Sequence, residues 1–121
     1  MYSEKVKEYF ENPINLGMIE DADAIGIVKN ESCSDIIKIY IKVDTQSKSI
    51  IKDAKFEVKG CPPVIASCCV VTDMIKEMNI EKAKTLTADE IIKKLNGLPK
   101  EKEHCAELVI KTLKKTIENI N

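Results

Sequence analysis

The sequence predicts an α+β domain in which a three-stranded antiparallel sheet carries helices packed on one face. Three observations lead there. Ile36 to Val43 and Ile50 to Lys59 alternate apolar and polar residues with the strand period of two. The polar segment 44–49 between them turns the chain, so the two runs form a hairpin with one wet face. Beyond Gly60 the apolar positions take helical spacing instead.

The elements follow in order. Tyr2, Val6, Tyr9 and Phe10 stand at helical spacing within the first eleven residues, with Ser3 as N-cap and Asn12-Pro13 as the stop. Residues 12–24 read as loop, including the acidic stretch Glu20 to Asp23, which lacks the spacing of a calcium-binding loop. Ile25 to Val28 reads as a short edge strand. In the first hairpin strand Ile37, Ile39, Ile41 and Val43 face inward, with Lys38, Tyr40 and Lys42 outward. In the second, Ile50, Ala54, Phe56 and Val58 face inward, and Lys52, Lys55, Glu57 and Lys59 form the solvated face. Gly60-Cys61-Pro62-Pro63 breaks the strand, and Val64 to Met78 reads as a helix that tolerates proline in its first turn. A short helical piece lies near Glu81 to Lys84. Thr87-Ala88-Asp89-Glu90 is a capping box for a helix ending at Asn96-Gly97. After the linker Leu98 to Glu103, a last helix runs from His104 to Asn119.

The 121 residues suit a single domain, 1–121, that buries roughly two thirds of the surface its unfolded chain exposes, so disulfide staples are not needed. The 19 basic residues are all lysine and stand against 20 acidic ones. A near-neutral charge without arginine argues against a nucleic-acid reader, whose bidentate phosphate and guanine contacts are arginine chemistry. Aromatic residues at 4%, with no tryptophan, also leave few platforms for stacking bases. No apolar run approaches 18 residues, so no membrane span is expected.

Five cysteines, an odd count, and no signal peptide point to free thiols in a reducing, cytoplasmic setting. Cys33 lies in a polar loop before the strongest strand, Cys61 at a strand-to-helix turn, and Cys105 in the first turn of the last helix, next to the single histidine, His104. Helix starts favour thiolate, so Cys61 and Cys105 are expected to carry lowered pKa values, which suits metal ligation or sulfur nucleophilicity. The plainer alternative is that each thiol is a small buried hydrophobe. Intervals of 28 and 44 residues exclude a C-x-x-C zinc ribbon, ferredoxin loop or thioredoxin motif, so only the tertiary fold could gather these thiols. Three thiolates with Asp35 and His104 at hand would suit a metal centre that has to leave.

Several motifs carry a resemblance to a known family. Tyr2-Ser3-Glu4-Lys5-Val6 with Asn12-Pro13, Cys33-Ser34-Asp35 before a strand, Gly60-Cys61 followed by Ile65-Ala66-Ser67, and Lys102-Glu103-His104-Cys105 occur in one order. In these the chain resembles the IscU family of iron–sulfur cluster assembly scaffolds, related to the N-terminal domain of NifU, from Tyr2 to about Ile117. The resemblance implies a scaffold, not a turnover enzyme, that receives sulfur from a cysteine desulfurase. It would build a [2Fe–2S] cluster and hand it to apo iron–sulfur client proteins. It also implies Cys33, Cys61 and Cys105 as cluster ligands, with Cys105 by analogy the persulfide acceptor. Asp35 would be the labile ligand, His104 the alternative fourth ligand, and Lys102 the ammonium that pairs with Asp35 or a bound anion.

The chain departs from the family pattern at four places. Ser34 stands where the family usually has glycine, and lacks glycine's freedom at positive φ. Pro62-Pro63 should stiffen the turn holding Cys61. Leu98-Pro99-Lys100-Glu101-Lys102 differs at two positions from the Leu-Pro-Pro-Val-Lys segment gripped by an Hsp70-type chaperone, which weakens the case for that partner. Ser67-Cys68-Cys69 replaces a frequent run of three serines; Cys68 and Cys69 read either as packing residues or as extra thiols that replace His104 or Asp35. The competing function is a zinc-dependent sulfurtransferase like the related SufU proteins, with Zn2+ on the same Cys, Asp, Cys, Cys set. SufU-type chains carry an insertion between the second and third ligand cysteines, and the 44-residue interval here lacks one.

Overall fold

The computed structural model describes residues 2–30 and 34–120. Its centre is an antiparallel sheet of strands β1 (Ala24–Asn30), β2 (Asp35–Val43) and β3 (Ile51–Lys59) in the order β1-β2-β3. Five helices accompany it: α1 (Glu4–Glu11), α2 (Pro62–Ile75), α3 (Ile80–Ala83), α4 (Ala88–Lys94) and α5 (Glu103–Glu118), the last preceded by a single 3-10 turn, Lys100–Lys102. Helix α5 lies across β1 and β2, α2 packs on β3 and on α5, and α1 packs on α2. The expected α+β architecture is what the chain adopts.

Local chemistry explains the boundaries. The Ser3 hydroxyl accepts from the Val6 amide at 3.2 Å and donates to the Leu95 carbonyl, so one side chain caps α1 and ties it to the end of α4. Thr87 and Glu90 form both halves of the capping box. Helix α2 stops at Ile75, short of the expected Met78, because Glu77 adopts φ +66°. The backbone then pairs with the start of β3, Ile51 N–H donating to the Met78 carbonyl at 2.9 Å and Glu77 N–H to the Ile51 carbonyl at 2.7 Å.

The inner sheet face presents Val28, Ile37, Ile39, Ile41, Ala54 and Phe56, all buried against α2 and α5. Two expectations fail here. Ile51, not Ile50, enters the core at the start of β3, because a bulge shifts the register between Lys42 and Val43. Lys42 faces Asp53 while Val43 faces Ile51, so Lys52 is the extra residue and the alternation restarts beyond it. Tyr40 does lie on the outer face, yet it is buried. Ile25 and Lys55 flank it on the neighbouring strands, and its hydroxyl donates to Glu57, which Lys38 approaches at 3.9 Å.

Gly26 has a structural reason to be glycine. A Cβ there would stand 2.8 Å from the Thr116 backbone, so the missing side chain is what allows α5 to lie on the edge strand. On the opposite edge, Asn15 to Gly17 pairs in parallel with Phe56 and covers β3. The acidic loop is structural, with Asp21 and Asp23 holding Lys42 at 3.3 and 3.6 Å.

Candidate metal and sulfur site

Two helix starts and one strand start converge at one end of the sheet. Gly60 ends β3, and Cys61 follows as the N-cap of α2 with extended backbone, its sulfur making no capping bond. Pro62 and Pro63 then occupy the first helical turn, where proline costs no hydrogen bond. Cys105 sits in the first turn of α5. The packing of α2 on α5 brings the two sulfurs to 3.9 Å across 44 residues of sequence. His104 Nε2 stands 3.8 Å from Cys105 Sγ. Asp35 opens β2, and its carboxylate lies over Gly60, where a Cβ would come within 3.3 Å of Oδ1.

The electrostatics of Cys105 overturn one expectation. Its thiol is pushed up from the usual 9.0 to about 12, by burial first and then by the Cys61 sulfur beside it, with Asp35 adding to the rise and the Lys102 ammonium opposing it. A helix start does favour thiolate, but Cys105 is only 1% exposed, and loss of water outweighs a partial charge. Cys105 keeps its expected place in the first helical turn yet belongs to the apolar core, as the plainer alternative of a buried thiol has it.

Cys68 and Cys69 are fully buried on α2. Burial raises the Cys68 thiol well above the ordinary range and the Cys69 thiol to about 11. Cys69 faces the α1 side of the molecule, since its thiol is influenced by the Ile14 backbone and by Asp73. Cys33 lies outside the described residues. Among the described residues no group of three or more His, Cys, Asp or Glu side chains is close enough to hold a metal ion. What they supply is a thiol pair with an imidazole in contact and a carboxylate nearby.

Two open clefts approach this cluster. One, of about 350 Å3, is lined by Lys29, Ser34, Asp35 and Lys59; the other, of about 450 Å3, by Lys29, His104, Glu107 and Lys111. Lys29 borders both, and no sequence signal singled it out, because the register of β1 against β2 is what carries it there. Gly60 follows the last residue of β3. Its role, leaving space for the Asp35 carboxylate, needs the neighbouring strand.

Fold and site together define a class of α+β domain that gathers sulfur and oxygen donors by tertiary packing, in place of a local C-x-x-C loop. The chain belongs to the NifU-like N terminal domain family, which it matches over residues 1–121. It is 44% identical over 117 residues to the iron-sulfur cluster assembly scaffold protein IscU 1 of Archaeoglobus fulgidus, covering 97% of this chain and 74% of that protein. Against the nitrogen fixation protein NifU of Azotobacter chroococcum it is 40% identical over 118 residues, 98% of this chain and 38% of that protein. Among solved structures it resembles a putative iron-sulfur cluster assembly scaffold protein for the SUF system from Fervidobacterium islandicum, with TM-score 0.78, 25% identity and 96% of each chain covered.

Proposed function

We propose that this chain is a scaffold on which an iron–sulfur cluster is assembled and from which it passes to apo-proteins. The observation that carries the reading is the 3.9 Å contact between Cys61 and Cys105, with His104 and Asp35 at hand. It occurs in a chain 44% identical to a protein named as such a scaffold. The donor set suits this cargo: thiolates hold iron firmly, while a carboxylate is a harder ligand that exchanges more readily. In this reading Cys33, Cys61 and Cys105 bind a [2Fe–2S] cluster and Asp35 keeps it transferable. His104 is the alternative donor, and Lys102 balances the charge of Asp35 or of bound sulfide. Sulfur arrives from a cysteine desulfurase as a persulfide on Cys105, whose burial requires the partner to open the first turn of α5.

A second reading is zinc-dependent sulfur transfer on the same cysteines and Asp35. The 44-residue interval between Cys61 and Cys105, which lacks the insertion of SufU-type chains, favours the scaffold. Anaerobic reconstitution separates them. Apo-protein supplied with ferrous iron, cysteine and a desulfurase should develop the Mössbauer spectrum of a [2Fe–2S] cluster and convert apo-ferredoxin to holo-ferredoxin. Tight Zn2+ with no cluster under the same conditions would favour the second reading. Asp35→Ala should yield a cluster that persists longer and transfers more slowly, read from the decay of its visible absorption; faster loss would remove the role given to Asp35.

A further inference from the structure

The two sulfurs at 3.9 Å have a second chemistry that requires no metal. A disulfide needs about 2.05 Å between sulfurs, so closing the gap asks each atom to travel only roughly 1 Å. The two thiols also differ in access, Cys61 being half-buried and Cys105 only 1% exposed. Cys68 and Cys69 sit in the core of α2 and are closed to reagents in water. We propose that Cys61 and Cys105 form a reversible dithiol–disulfide couple, oxidised by small-molecule disulfides, which withdraws both sulfurs from metal binding.

The steps balance. The Cys61 thiolate attacks a small disulfide RSSR, giving a Cys61–S–SR mixed disulfide and releasing RS−. Cys105 gives its proton to the released RS−, and its sulfur then attacks Cys61 Sγ, forms the Cys61–Cys105 bond and expels a second RS−. Two protein thiols lose two electrons and two protons, and RSSR gains them as two RSH. Excess RSH reverses both steps. Access dictates the order, because a solvent reagent reaches Cys61 first, and Cys105 is placed behind it to resolve the mixed disulfide. The bond would join the starts of α2 and α5, which already pack together, and so requires no rearrangement of the sheet.

The test uses the folded, metal-free 121-residue chain equilibrated anaerobically with oxidised glutathione, quenched by alkylation and mapped by mass spectrometry. More than half of the molecules should carry a Cys61–Cys105 linked peptide, lost again on addition of excess reduced glutathione. Cys33→Ser should retain the bond, since Cys33 is the competing thiol. Accumulation of glutathione on Cys61 without the linked peptide would overturn the proposal. So would a bond from Cys33 to either thiol in the wild type, or a linked peptide that forms only in urea. The outcome does not depend on cluster assembly, so failed reconstitution and failed bond formation are separate results.

Discussion

Ser34 holds φ +58°, in the left-handed region where a side chain costs energy, immediately before Asp35. Ser34→Gly should therefore raise stability by about 0.5–1 kcal/mol, the relief of left-handed strain less glycine's added unfolded-state entropy, measured as a higher urea midpoint. The strain was legible in the sequence, because the resemblance placed a serine where glycine is usual. The positions of Cys61 and Cys105 at helix starts were legible for a similar reason: Gly60-Cys61-Pro62 and Glu103-His104-Cys105 are local punctuation. The state of the Cys105 thiol was not. A helix start acts over one turn and can be read from neighbours in sequence, whereas desolvation is imposed by α2 and the core, which no local window contains.

Among the elements, β1 and α5 depend most closely on one residue. Gly26→Ala would place a Cβ within 2.8 Å of the Thr116 backbone and must push α5 outward. A loss of about 1–3 kcal/mol is expected from such overpacking, visible as a lower thermal midpoint. Most elements were legible as such: the alternation of β2, the Ser3 cap and the Thr87 capping box are local signals that the folded chain keeps. The failures have tertiary causes. The bulge opposite Val43 moved Ile51 inward, and the pairing of Glu77 and Met78 with Ile51 ended α2 early. Tyr40 followed the strand period but is covered by side chains from both neighbouring strands, which its own strand does not reveal.

For the molecule as a whole, three buried thiols, Cys68, Cys69 and Cys105, all titrate above the ordinary 9.0. A raised thiol pKa keeps its proton in the folded state while the unfolded chain releases it. Stability is therefore full below about pH 9 and falls as pH rises toward the folded values. Cys68, the most deeply buried, contributes a slope of up to about 1.4 kcal/mol per pH unit. Urea denaturation of reduced, metal-free protein at pH 8, 9 and 10 should show this decline. Cys68→Ala should flatten it; an unchanged slope would place the alkaline sensitivity elsewhere. Among the described residues no helix is long and apolar enough to cross a membrane.

The contact between Cys61 and Cys105 is made by two helices that no short loop connects, so it lasts only while α2 and α5 remain seated on each other. Any cargo gripped by both sulfurs would act as a clasp across that seam. It would bind the assembled domain in preference to the open one and raise the melting temperature by mass action. Conversely, a partner that lifts only the first turn of α5 could loosen the clasp while the three-stranded sheet stays intact. Loading and release would then be matters of local opening at one helix end, with the rest of the domain as a fixed frame.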